Sequence, residues 1–259
     1  MGRVGIGSER MIKVIHSCDD NPYYLDFWPS VSKVWKEYIG FEPVLIHVGD
    51  SSNHIDTRYG QVINMPVNKH LPIHTQAQLA RLWYPAQEPD TLWITSDIDM
   101  FPMSHQYWND VVRGWWPSEK PDWTNLNSDG DYFPICYHLA LGENFDKVLG
   151  IGGDSFYDYV TKNMSEVDEN YIHIPENWNG PELSKWNVDE MFSSKKIVDF
   201  RNSGGVVHQP KRPPNRRLDR LYWQYNPEMV RGGYYIDCHS IRPYSKYRDE
   251  IDKVLGYLS

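Results

Sequence analysis

Short apolar runs alternate with amphipathic stretches along most of the chain, and the two periods predict an α/β order. Residues 11–16 place Ile12, Val14 and Ile15 in an extended run that turn formers close at 17–22, which predicts a first strand. Residues 23–38 carry Leu25, Trp28, Val31, Val34, Trp35 and Tyr38 at helical spacing. Pro29 inside that run predicts a kink or a late start, and Gly40 a stop. Strands follow at 43–48 and 61–65, a helix at 75–84, and a buried strand at 92–94. The spacing further predicts a helix over 107–116, strands over 122–127 and 133–141, and a helix over 155–164. After a loop-rich stretch at 165–185, a helix starts near Trp186 with Asn187 as its cap. Short strands are expected at 196–200 and within 204–210, a last strand at 234–239, and a closing helix at 246–258. Strands alternating with helices imply a mostly parallel central sheet flanked by helices. No repeat or low-complexity linker divides residues 11–259, so one domain is expected, with residues 1–10 as a disordered leader.

The stretch that concentrates chemistry is Leu92-Trp93-Ile94-Thr95-Ser96-Asp97-Ile98-Asp99-Met100-Phe101-Pro102. A buried strand runs straight into two carboxylates one residue apart. Carboxylates beside apolar surface are costly unless paired or bound to a cation. Residues two apart on a strand lie about 7 Å apart at about 3.3 Å per residue, and a hard cation wants oxygens at about 2.0 to 2.6 Å. Both acids therefore reach one ion only if the chain bends after the strand, or if one binds through water. A bare Asp-x-Asp is also common in surface turns.

Composition narrows the partners. The 259 residues carry a formal charge of −9, which argues against a general nucleic-acid binder and means an anionic substrate needs a cation or a basic cluster. The one basic cluster is Lys211, Arg212, Arg216, Arg217 and Arg220. Gln78 and Arg81 share a helix face just before the acidic strand end, so Arg81 can project toward it. Eleven Trp and eighteen Tyr fit either a stacking cleft or an aromatic core. Cys18, Cys136 and Cys238 have no disulfide or zinc spacing, which suits a reducing, cytoplasmic compartment. No run is long enough for a transmembrane helix, and the first ten residues lack a signal-peptide core.

Three runs taken in order resemble one family: Asn21-Pro22-Tyr23-Tyr24-Leu25-Asp26-Phe27-Trp28, then Ser96-Asp97-Ile98-Asp99-Met100, then Asp237-Cys238-His239-Ser240-Ile241-Arg242-Pro243-Tyr244. With a Trp-x-x-Asp-Glu helix start between the last two, the chain resembles the GT-A nucleotide-sugar glycosyltransferases, above all the small capsid-type enzymes of chlorella viruses. The resemblance implies a GT-A fold and a Mn²⁺ or Mg²⁺ held by Asp99, by Asp97 directly or through water, and by His239. It implies a UDP-sugar donor whose uridine meets Ser17, Cys18 and Asp20, with Ile98 beside it and Arg81 or Arg242 near the diphosphate. Asp189 becomes the base that deprotonates a glycan hydroxyl in an inverting, hexose-type transfer. A retaining enzyme would use the same metal site, with an acid in that region binding the donor sugar instead. His208 competes with His239 as the late ligand, since each ends a short strand. Trp178 and Trp186 are candidates for acceptor stacking. The alternatives are a nucleotidyltransferase, which would usually show a basic Gly-rich loop where this chain reads Ser17-Cys18-Asp19-Asp20, and a carbohydrate-binding protein without turnover.

Overall fold

The computed structural model of the chain describes residues 11–113, 121–127, 130–166 and 188–258. The expected leader, the end of the 107–116 helix, nearly all of the 165–185 loop, Trp178, Trp186 and the Asn187 cap lie outside these residues. In chain order come β1 (Ile12–Asp19), α1 (Pro22–Leu25), α2 (Trp28–Lys33, continued by a π-helical stretch over Val34–Ile39), β2 (Glu42–Val48), β3 (Gln61–Met65), α3 (Ile73–Trp83), β4 (Leu92–Thr95) and β5 (Met100–Pro102). Then follow α4 (His105–Tyr107, continued in π form over Trp108–Arg113), β6 (Trp123–Asn125), β7 (His138–Leu141), α5 (Gly142–Leu149), α6 (Phe156–Glu166) and α7 (Val188–Asn202). The chain closes with β8 (Val207–His208), β9 (Arg217–Asp219), α8 (Pro227–Arg231), β10 (Asp237–His239) and α9 (Tyr244–Leu255).

Among the described residues, seven strands form the central sheet in the order β3-β2-β1-β4-β7-β6-β8. The first four are mutually parallel; β7 is antiparallel to both β4 and β6, and β8 is parallel to β6. Alternate residues of the central strands enter different cores. Val14, Leu45 and Ile94 pack with Trp28, Trp35 and Val254 from α2, its π extension and α9. Ile15, Val44, Ile46 and Trp93 pack with Leu79, Phe145, Val160 and Phe192 from α3, α5, α6 and α7. Burial on both faces explains the near-continuous apolar strands that the sequence shows. Trp28, Trp35, Trp93, Trp108 and Trp123 are among the largest fully buried side chains, so these indoles fill the core.

Among the described residues, a second sheet of three strands, β5-β10-β9, shares a core with the first through Phe101, Leu218 and Cys238. β5 pairs antiparallel with β10, and β9 parallel to it. Its register sets His239 opposite both Met100 and Asp219, and the Ser240 amide donates to the Asp99 carbonyl at 2.9 Å.

Several expected elements change. Residues 196–200 are not a strand but the second half of α7, because Val188, Phe192 and Ile197 enter one core cluster from a continuous helix. Tertiary packing here overrides the β-forming run Ile197-Val198. The strand expected at 133–141 is confined to His138–Leu141, since Tyr137 takes a left-handed φ of 72°. Pro29 does give a late start: it occupies the first turn of α2, and Gly40 ends the π stretch at φ 85°.

Candidate active site

β1 and β4 are neighbours, and both end at one edge of the sheet. In an open α/β sheet the space beyond the carboxyl ends of the strands is where ligands bind. A cleft of about 390 Å³ opens there. Ser17, Cys18 and Asp19 line it from β1, and Gln78 and Arg81 from α3. Asp97, Ile98 and Asp99 line it from the turn between β4 and β5, Asp189 and Glu190 from α7, and Arg220, His239 and Arg242 from the small sheet and its flanks.

The bend that the acid pair needed is present. β4 stops at Thr95, the Met100 amide donates to the Asp97 carbonyl at 3.1 Å, and the chain leaves for the second sheet. The two carboxylates then part. Asp97 pairs with Arg81, whose Nη2 donates to Asp189 Oδ2 at 2.7 Å. Asp99 turns toward the small sheet, where Arg220 Nη1 donates to its Oδ2 at 3.0 Å. Arg242 Nε lies 3.5 Å and His239 Nε2 3.6 Å from the same oxygen. Burial alone would raise the Asp99 carboxyl. The His239 ring and the Arg242 and Arg220 guanidiniums outweigh it and hold the group below the ordinary aspartate range.

At Asp189 the balance goes the other way. Burial outweighs Arg81, and its carboxyl is raised above the ordinary value. Glu190 is pushed up to about 7, first by burial and then by the Asp189 charge. Glu190 Oε2 accepts from the Tyr132 hydroxyl at 2.5 Å, and its Oε1 from the Ile135 amide at 3.2 Å. Cys18 is buried, and burial raises its thiol well above the usual value, so it is a neutral wall and not a nucleophile.

Of the residues singled out from sequence, Ser17, Cys18, Arg81, Asp97, Ile98, Asp99, Asp189, His239 and Arg242 meet in this cleft. Asp20 does not line it; its carboxylate faces His47 and His54. His208 lies on β8, the outer strand of the large sheet, away from the cleft that His239 lines. Of the basic cluster, Arg220 enters the cleft, Arg212 and Arg217 are spent on the buried Asp237, and Arg216 donates to the Tyr234 and Gly233 carbonyls. Several lining residues were not assigned from sequence, among them Glu190, Arg220 and Tyr24. Glu190 read as an acid complementing a helix dipole, Arg220 was hidden in a general basic cluster, and Tyr24, which accepts from Arg242 Nη1 at 3.0 Å, stood in the Asn21–Trp28 run without a role of its own.

The donor set suits a divalent cation in part. Asp99 oxygen and His239 nitrogen converge from adjoining positions of the small sheet. Asp97 is drawn off by Arg81, and Asp97, Asp99 and His239 do not bring three ligand atoms within 4.8 Å of one another. A hard cation with few protein ligands keeps positions for water or phosphate oxygens.

The architecture is that of the GT-A class: a mixed, mostly parallel sheet with helices on both faces and a cleft at the strands' carboxyl ends. The chain superimposes on an active-site mutant of LgtC with a TM-score of 0.50 at 12% identity, over 95% of each chain. It also matches the galactosyltransferase LgtC in complex with donor and acceptor sugar analogues, with a TM-score of 0.49 at 14% identity, over 96% of this chain and 95% of that one. A glycosyltransferase involved in the glycosylation of the major capsid of PBCV-1 matches with a TM-score of 0.44 at 12% identity, over 93% and 99%. No protein-family model and no curated protein matches the chain. Among the described residues, no helix is long and apolar enough to cross a membrane.

Proposed function

We propose that this chain is a glycosyltransferase that moves a hexose-type sugar from a nucleoside-diphosphate donor, UDP-linked in the first instance, to a hydroxyl of a glycan acceptor. The observation that carries the reading is the division of charge in the cleft. Arg220, His239 and Arg242 gather about Asp99 at the small sheet, and the raised carboxyls of Asp189 and Glu190 line the same cleft from α7. The chemistry asks for that division. The leaving nucleoside diphosphate needs positive charge, and the acceptor hydroxyl needs a proton acceptor.

Asp99 and His239 would hold Mn²⁺ or Mg²⁺, with Asp97 reaching it through water. Such an ion supplies Lewis-acid stabilisation of departing phosphate charge. Arg220 and Arg242 add fixed donors for the phosphate oxygens. Ser17 and Cys18 offer a narrow, neutral wall for the nucleoside. Arg81 is the positioning residue that fixes Asp97 and Asp189 together from α3.

The proton acceptor has two candidates. Asp189 is the first, by its place at the start of α7 and its raised carboxyl. A specific observation favours Glu190 as the second: a carboxyl at about 7 is matched to proton transfer near neutrality. Inverting transfer, with one of these carboxylates on the acceptor, is the stereochemical reading proposed. The discriminating experiment supplies UDP-, GDP- and dTDP-sugars with Mn²⁺ and follows release of free nucleotide. Slow, EDTA-sensitive hydrolysis of a UDP-sugar supports the proposal. Release of pyrophosphate from a nucleoside triphosphate would point instead to nucleotidyl transfer.

A further inference from the structure

Beyond the outer part of the same sheet edge, a second constellation is assembled from β1, β2 and the loop that follows β2. His47 is the buried member, with no exposed surface. Its Nδ1 lies 2.8 Å from Oδ1 of Asn64, its register partner on β3. The Asn64 amide nitrogen donates to the Gly49 carbonyl at 3.1 Å. A carbonyl only accepts, so this bond fixes the amide with its oxygen toward His47. That oxygen also only accepts, and the proton of His47 therefore sits on Nδ1. A neutral His47 then presents a bare Nε2 lone pair to Asp20 Oδ1 at 2.9 Å. Two acceptors at that distance repel unless something positive joins them. His54 Nε2 stands 3.7 Å from the same carboxylate oxygen. Among the described residues, Asp20, His47 and His54 are the one trio of such side chains whose ligand atoms all lie within 4.8 Å of one another.

The pocket is also cleared for this meeting. A Cβ on Gly49 would stand 2.3 Å from His47 Cε1 and 2.9 Å from Asp20 Oδ2. Any larger residue there would push the ring and the carboxylate apart.

We infer that Asp20, His47 and His54 form a divalent-metal site of zinc type, separate from the cleft ligands Asp99 and His239. Two imidazole nitrogens and one carboxylate oxygen are a zinc donor set, whereas magnesium and manganese prefer oxygen. Zinc–ligand bonds of about 2.0 to 2.2 Å place tetrahedral ligand atoms roughly 3.3 to 3.6 Å apart, and the observed 2.9 and 3.7 Å straddle that spacing. The Asn64 contact does for His47 what outer partners do for metal-bound histidines: it fixes tautomer and ring plane. Asp20 and His54 are 55% and 58% exposed, which leaves the fourth position to water and gives the ion a way in. A shared proton would join His47 and Asp20 alone; His54 Nε2, 3.7 Å from the same oxygen, supplies the third ligand atom that a metal ion uses. The bound ion ties the end of β1 to β2 and its following loop. Asp19 and Asn21, on either side of Asp20, line the cleft, so the ion braces one cleft wall. The inference stands on this geometry and does not depend on the proposed transfer reaction.

Metal-stripped full-length protein is titrated with Zn²⁺ and, separately, with Co²⁺. The expected result is about one tight equivalent, a melting temperature raised by several degrees at about 100 times Kd, and the strong visible absorption of four-coordinate cobalt. His54→Ala and Asp20→Asn should each weaken Zn²⁺ binding by about 100-fold or more and abolish the cobalt spectrum. Metal-free His54→Ala should melt with the wild type, because the side chain is exposed. Asp99→Ala should retain both the Zn²⁺ affinity and the cobalt spectrum. Absence of tight binding would overturn the inference. Binding that survives His54→Ala, or that vanishes in Asp99→Ala, would overturn it as well.

Discussion

Two aspartate–histidine groups lie along one edge of the large sheet, and they are built on opposite principles. Asp99 and His239 are crowded by guanidiniums: Arg220 at 3.0 Å, Arg242 at 3.5 Å, and Arg81 on the neighbouring Asp97. Asp20 has no arginine or lysine ion-pair partner among the described residues, only the rings of His47 and His54. The first group has positive charge to spare and suits an anionic ligand that arrives with its own cation. The second has lone pairs to spare and suits a cation by itself. The same residue types thus serve different chemistry according to what surrounds them.

The comparison breaks most visibly if the guanidiniums are removed. Arg81→Met leaves Asp97 and Asp189 in the cleft wall without their partner, with Asp189 almost wholly buried. Loss of one member of a buried pair costs about 3 to 5 kcal/mol, and urea denaturation should show a loss of that size. On the catalytic side, the correct proton acceptor among the α7 carboxylates should lose about 10²- to 10⁴-fold in kcat when made an amide. Asp189→Asn and Glu190→Gln separate the candidates. If Glu190 is the base, the wild-type rate rises with pH through about 7 and Glu190→Gln removes that limb.

A smaller effect follows from buried histidines that stay neutral. His138 Nδ1 accepts from Trp123 Nε1 at 3.1 Å and lies 2.9 Å from the Asn125 amide nitrogen, so protonation there would cost two bonds. Burial, reinforced by Arg81, lowers both His16 and His138 from 6.5 to about 3. Between those values the unfolded chain binds protons that the folded chain refuses, so stability falls as pH falls through that window. Urea midpoints should drop steadily from about pH 7 to about pH 4, and a flat profile would contradict the assignment. Smallest of all is the metal-free effect of His54→Ala. An exposed side chain away from the core should change stability by no more than about 0.5 kcal/mol, read from the same urea curves.

The centre of the large sheet was legible because β1, β2 and β4 are buried on both faces and announce themselves as apolar runs. The turn at Asp97-Ile98-Asp99 was legible because a buried strand rarely ends in two acids without a reason. Of the small sheet only the last strand was, within the stretch 234–239. Met100-Phe101-Pro102, Arg217-Leu218-Asp219 and Asp237-Cys238-His239 are each three residues long, too short for a period to form. Yet their register is what carries His239 and Arg220 to Asp99. The fate of the basic cluster was hidden for a related reason. Asp237 is fully buried, and Arg217 and Arg212 outweigh its burial and lower its carboxyl to about 2. That pairing joins residues 20 and 25 positions apart, which no local pattern encodes. Asp20 was assigned to the nucleoside wall because it follows the first strand; its neighbours on β2 and in the next loop claim it instead.

The central claim is that Asp99 and its arginine- and histidine-lined wall hold a cation and a nucleoside diphosphate together. The most direct measurement is thermal protection by UDP with and without Mn²⁺, in wild type and in Asp99→Ala. The account predicts protection of the wild type only when both are present, and none in the variant. Equal protection of both proteins, or protection by UDP that ignores Mn²⁺, would contradict it.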